Sequence, residues 1–88
     1  MEIVKVQLEV ITTQAISLPA KAKLLTIQTI DNKPWLFALV NPESDTVDRI
    51  IKTYETGEKI TGVGKYIGTY HEIGGGTFTY HSFDDGEA

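Results

Sequence analysis

The stretch Ile3-Val4-Lys5-Val6-Gln7-Leu8-Glu9-Val10 decides the fold class. Val4, Val6, Leu8 and Val10 fall at every second position, with Lys5, Gln7 and Glu9 between them. That is the period of a β-strand with one wet face. Thr, Ile and Val with added aromatics dominate the rest of the chain, and these residues suit a pleated, half-buried surface. Helical periodicity is nearly absent.

Thr12-Thr13 bends the chain, and a short second strand of Gln14 to Leu18 ends at Pro19. Ala22 to Ile30 forms the third strand, with Leu25 and Ile27 as its core residues. Asp31-Asn32-Lys33-Pro34 is a turn by composition, with Asn32-Lys33 at the corner of a tight hairpin. Trp35 to Asn41 is apolar on both faces and reads as a central, doubly covered strand. Asn41-Pro42-Glu43-Ser44 stops it.

Ser44 to Tyr54 reads two ways. Val47, Ile50, Ile51 and Tyr54 fall at helical spacing behind a cap at Ser44 or Asp45. The same residues also make a strand, the favoured reading. Glu55-Thr56-Gly57-Glu58-Lys59 is a turn-rich connection anchored by Ile60. The sixth strand spans Lys65 to Glu72, and the seventh Thr77 to Phe83. Tyr66, Gly68 and Tyr70 share one face; Phe78 and Tyr80 share another. If those faces coincide, Gly74-Gly75-Gly76 is a three-residue loop, Ile73 lies opposite Thr77, and Tyr70 opposite Tyr80. Gly68 then marks a bulge or the close packing of another strand, with a slot for a flat ligand as the alternative. Seven antiparallel strands imply an all-β domain, a small sandwich or a partly open barrel.

The chain has 88 residues, 41% hydrophobic and 23% charged, which is one domain of ordinary globular composition. The reading is a single β domain over residues 1–83 and an acidic flexible tail, Asp84 to Ala88. Zero cysteines exclude a disulfide framework and a cysteine-based zinc site. The longest apolar run, Trp35 to Val40, is far short of a membrane span. Met1-Glu2-Ile3 does not open a signal peptide. A net charge of −4 argues against binding DNA or RNA. Open sheet edges make a homo-oligomer the expected state.

Candidate chemistry is sparse. His71 and His81 are the side chains suited to acid–base work near neutrality. In the three-residue register they share a face, with Thr69 and Thr79 beside them. A metal site wants three or four ligands, and Glu72 points the other way, so no metal and no cofactor are expected. Ser82 follows His81 directly, and adjacent strand residues face opposite sides, so no nucleophilic triad forms. Gly62-Val63-Gly64-Lys65-Tyr66-Ile67-Gly68 misses the dinucleotide spacing by one residue and precedes no helix. Lys59 and Lys65 beside it could still receive an anion. Trp35 reads first as core and second as an interface anchor.

Several segments carry a resemblance that spans nearly the whole chain. They are Leu18 to Gln28, Pro34 to Pro42, Thr56 to Ile60, Gly64 to Thr69 and Gly75 to Phe83. In this order and spacing they resemble a family of short uncharacterised proteins encoded mainly by tailed bacteriophages and prophages. Members often carry His and Pro where this chain has Glu58 and Lys59, which counts against a shared catalytic role for that loop. The resemblance implies a phage or prophage origin and supplies no activity. From that origin the expectation is a non-enzymatic accessory protein of the bacterial host cytoplasm that acts by binding, an anti-defence factor that sequesters a small signalling nucleotide or blocks a host protein. In one version Arg49, Lys59 and Lys65 neutralise a small anionic signalling nucleotide, and Tyr66, Tyr70 or Trp35 stacks on its base. In the other, the Trp35 region or a strand edge docks on a host protein. The alternatives are a virion structural or assembly protein and a weak hydrolase using His71 or His81.

Overall fold

The computed structural model describes residues 1–73 and 77–88. It has seven strands: β1 (Glu2–Gln7), β2 (Thr13–Pro19), β3 (Lys23–Ile30), β4 (Lys33–Val40), β5 (Thr46–Glu55), β6 (Lys65–Ile73) and β7 (Thr77–Glu87). All paired strands are antiparallel. They form a three-stranded sheet, β1-β4-β3, and a four-stranded sheet, β2-β5-β7-β6. The result is an all-β, sandwich-like fold that does not close into a barrel. The segment read two ways is strand β5, and no helix occurs among the described residues.

The core lies between the sheets. β4 contributes Pro34, Leu36, Ala38 and Val40, all buried, at every second position. Ile27 of β3, Ile16 and Leu18 of β2, Ile51 of β5 and Ile67 and Tyr70 of β6 meet them. β3 crosses closely over β6 at Gly68. A Cβ there would stand 3.1 Å from the Ile27 amide nitrogen and 3.2 Å from the Ile27 Cβ. Both structural readings of this glycine are found: another strand packs closely on it, and the β6–β7 register slips between Tyr66 and Gly68.

β1 passes its chain to the second sheet after Leu8, which is buried and whose N–H donates to the Pro34 carbonyl. The Gln14 amide brackets Glu9, accepting from its N–H at 3.1 Å and donating to its carbonyl at 2.8 Å. The first strand therefore ends at Gln7, and Val10 is exposed instead of sharing the buried face.

Four further expectations are corrected. The hairpin corner is Asp31-Asn32, with φ of 51° and 62°, closed by the Ile30–Lys33 pair. Two left-handed residues in a row suit a tight β-hairpin, and Asp and Asn tolerate that conformation. Leu25 is exposed because the register slips between Leu24 and Thr26, and this bulge gives the inward position to Leu24. β4 is central but covered on one side only: Trp35, Phe37 and Leu39 are half-buried on an open face. Ile60 is exposed and lies outside the hydrophobic core.

The acidic end is not a free tail. β7 runs to Glu87, which lies opposite Arg49. The Ala88 N–H donates to the Asp48 carbonyl at 2.9 Å, and the Lys21 N–H donates to the Glu87 carboxylate at 2.6 Å. Ile73 does lie opposite Thr77 in the register, as the three-residue loop requires. Residues 74–76 themselves lie outside the described residues.

Candidate functional site

The outer face of the three-stranded sheet is built by strand alternation. Leu36 and Ala38 turn inward, so Trp35, Phe37 and Leu39 turn outward as one row along β4. Register sets Gln7 and Gln28 beside Trp35, Lys5 and Thr26 beside Phe37, and Ile3 and Lys23 beside Leu39. Ile3 is 63% exposed, and among the described residues the second sheet packs on the opposite side of β4. The Lys5 Nζ lies over the Trp35 ring, 4.8 Å from its centre, in a cation–π contact between neighbouring strands. Trp35 is thus a surface aromatic and not part of the core.

The outer face of the four-stranded sheet carries a different chemistry. Phe83 packs between Tyr54 and Tyr66, with ring centres 6.0 and 5.7 Å away. The Tyr66 hydroxyl bonds the Thr69 hydroxyl at 2.6 Å, and Thr69 bonds His81 Nδ1 at 3.0 Å. His81 Nε2 bonds the Thr56 hydroxyl at 2.6 Å, so both ring nitrogens are engaged. His71 Nδ1 meets the Thr79 hydroxyl at 3.1 Å. Ser82 faces the other way, fully buried, and shares a 2.8 Å hydrogen bond with Thr53. The expected shared face of the histidines and the separation of Ser82 from His81 are both found. Tyr66 differs from expectation: a bulge between Tyr66 and Gly68 sets it on the face opposite Tyr70.

Tyr70 is a core residue, 3% exposed, stacked on Tyr80 at 5.4 Å as the cross-strand register predicts. Its hydroxyl has no hydrogen-bond partner among the described residues. Burial pushes this phenol up to about 12, against a smaller opposing effect of the nearby Thr53 and Ser82 hydroxyls. Tyr70 and His71 line one cleft of about 280 Å³, together with Leu8, Pro34 and Lys33.

Arg49, Lys65 and Tyr66 line another cleft of about 280 Å³, with Lys21 and Lys23. The carboxylate in it is Asp84, which Arg49 grips with two hydrogen bonds of 2.8 and 2.6 Å. The Arg49 charge is therefore spent on Asp84 and not held ready for an anion. Lys59 lies exposed on the connection after β5 and does not line this cleft.

The eight expected residues are thus scattered. Arg49, Lys65 and Tyr66 share one cleft, Tyr70 and His71 another, His81 joins Tyr66 through Thr69, and Trp35 stands apart on the other sheet. Among the described residues no group of three or more His, Asp or Glu side chains could hold a metal. The residues missed by sequence reasoning are Phe37, Leu39 and Ile3, which make the apolar face, and Asp84, which occupies Arg49. β4 is apolar at every position from Trp35 to Val40, so the sequence does not mark which of its sides stays uncovered.

A family model described as a domain of unknown function (DUF7352) matches residues 1–88. No curated protein and no solved structure matches the chain.

Proposed function

The chain belongs to this family of unknown function, and on that premise we propose that it acts by binding, docking a protein partner on the Trp35 face. The observation that carries the reading is the outward row Trp35, Phe37 and Leu39 with exposed Ile3 beside it. Contiguous apolar surface on a small soluble domain marks an interaction site, and tryptophan is enriched among interface anchors. A flat sheet face suits a protein surface better than a small molecule, which wants a concave pocket.

Sequestration of an anionic nucleotide has less support. Asp84 neutralises Arg49, Tyr70 is buried, and Lys59 stands away from the cleft. The resemblance to phage and prophage proteins supports a host protein as the partner, and the bacterial cytoplasm as the place of an anti-defence accessory factor.

A photo-crosslinking residue at Phe37, compared with one at Ser17 on the opposite outer face, tests the docking face. In the host cell, position 37 should trap one protein identifiable by mass spectrometry, and position 17 should not. Equal trapping from both positions, or none from 37, rules the face out.

A further inference from the structure

Charge divides the two sheets unequally. The strands of the three-stranded sheet hold Lys5, Lys23 and Lys33 against one carboxylate, Glu2. The strands of the four-stranded sheet hold Asp48, Glu55, Glu72, Asp84, Asp85 and Glu87 against Arg49, Lys52 and Lys65. Register places all three lysines in the outward set: Lys5 beside Phe37, Lys23 beside Leu39, and Lys33 beside Ile30. Glu2 belongs to the other set, opposite buried Val40. A chain of net charge −4 thus sets lysines, and no strand carboxylate of this sheet among the described residues, beside the outward apolar row, with Asp31 at the hairpin corner next to Lys33 and Asp84 in the cleft that Lys23 also lines.

We infer that the occupant of this face is an acidic, amphipathic protein segment. Its apolar side would cover Trp35, Phe37 and Leu39, and its carboxylates would meet Lys5, Lys23 and Lys33. The inference rests on the docking reading above and adds the chemistry of the partner. Dimensions favour a single element over a broad globular surface. Three strands and seven residues of length make a patch of about 14 by 23 Å, which one helix of about 16 residues covers. A second copy seated face to face would oppose six lysines across a small apolar patch, an arrangement that like-charge repulsion disfavours.

Trp35 is the chain's single tryptophan, so its emission reports on the face directly. The probe is a synthetic tryptophan-free peptide of about 16 residues, with leucines at helical spacing and glutamates between them. Its twin carries lysines in place of the glutamates. The acidic peptide should shift Trp35 emission to the blue saturably, and the basic twin should not. Joint reversal of Lys5, Lys23 and Lys33 to Glu should weaken the acidic peptide about tenfold, with unchanged far-ultraviolet circular dichroism. An equal response to both peptides overturns the charge selection and leaves the apolar docking face standing. A response to neither overturns the inference, and the crosslink from Phe37 then decides the docking reading by itself. A doubling of mass on sedimentation of the chain alone, lost in Phe37→Glu, would assign the face to a second copy and overturn the inference.

Discussion

Arg49 and Asp84 are joined across β5 and β7 by two parallel hydrogen bonds, Nε to Oδ1 at 2.8 Å and Nη2 to Oδ2 at 2.6 Å. The remaining guanidinium nitrogen donates to the Ala22 carbonyl at 2.8 Å, so one side chain ties β5 and β7 to the start of β3. The Gly86 N–H also donates to Asp84, at 2.9 Å. Each side chain of the pair is only 12% exposed.

These bonds set a pH dependence. The Arg49 hydrogen bonds hold the Asp84 carboxyl below its ordinary value of 3.8, and outweigh the opposing effect of burial. A lowered folded value means that the fold favours the ionised form. The contribution is complete above the unfolded value and is lost as pH falls through the folded one. Asp84→Asn removes it and leaves Arg49 half-paired in a mostly buried site. At neutral pH the variant should be less stable by about 1–3 kcal/mol, and the gap should close as pH falls below about 4. Urea denaturation at a series of pH values checks this. A gap that stays constant into acid would show that the charge of Asp84 is not what matters.

Two glycines should differ in their response to one methyl group. A Cβ on Gly64 would fall within the Asp84 backbone carbonyl, which belongs to the β6–β7 ladder and cannot move aside. A Cβ on Gly68 meets the Ile27 backbone at 3.1 Å, which the two sheets can accommodate by parting slightly. Gly68→Ala is expected to cost about 1–2 kcal/mol, and Gly64→Ala more, about 3 kcal/mol or above. Thermal melts of the two variants check the order, and a milder effect at Gly64 would contradict the strand pairing there.

The strands were legible from alternation in β1, from a continuous apolar run in β4, and from the breakers Pro19, Asp31-Asn32 and Pro42 between runs rich in β-branched and apolar residues. The last hairpin was legible to the register, since only one pairing brings Tyr70 against Tyr80. Bulges were legible only in part: Gly68 marked the one in β6, while the one in β3 carries no such residue. One extra residue inverts the face of everything beyond it. Tyr66 and Leu25 were placed on the wrong sides for that reason. The pairing of Asp84 was hidden differently. Its partner lies 35 residues away, and a terminal acidic run reads as solvated by composition alone. The Trp35 face was half legible: the sequence marked the apolar strand, while its exposure is a property of the layers.

Tyr70 offers a test in the alkaline range. Its buried hydroxyl lies near the Thr53 and Ser82 hydroxyls but makes no hydrogen bond among the described residues, so Tyr70→Phe removes a buried polar group without breaking a hydrogen bond. Stability at neutral pH should change by less than about 0.5 kcal/mol, or improve. Ser82→Ala, by contrast, strands the buried Thr53 hydroxyl and should cost about 1–2 kcal/mol. The folded phenol lies at about 12 against an ordinary 10.0, so the fold favours the neutral form. That preference is without effect below the unfolded value, and the wild type loses stability as pH rises from about 10 towards about 12. Tyr70→Phe should be relieved of this loss, as denaturation midpoints across that range would show. Parallel alkaline curves for the two proteins would place Tyr70 in contact with water.

Leu24 and Leu25 separate the bulge from an uninterrupted strand. In an uninterrupted β3, Leu25 would share the buried face with Ile27, and Leu24 would face out. In the bulged strand Leu24 packs on the core, and Leu25 is 39% exposed on the outer face. Leu24→Gln should therefore destabilise the fold by about 2 kcal/mol, since it sets an amide against apolar neighbours. Leu25→Gln should cost less than about 0.5 kcal/mol. Leu25 also stands near Phe37 at the margin of the proposed docking face. The same Leu25→Gln protein should therefore fold normally and still bind the acidic peptide more weakly. A reversed order of stabilities would restore the uninterrupted strand, and with it move Lys23 off the face that the peptide is expected to meet.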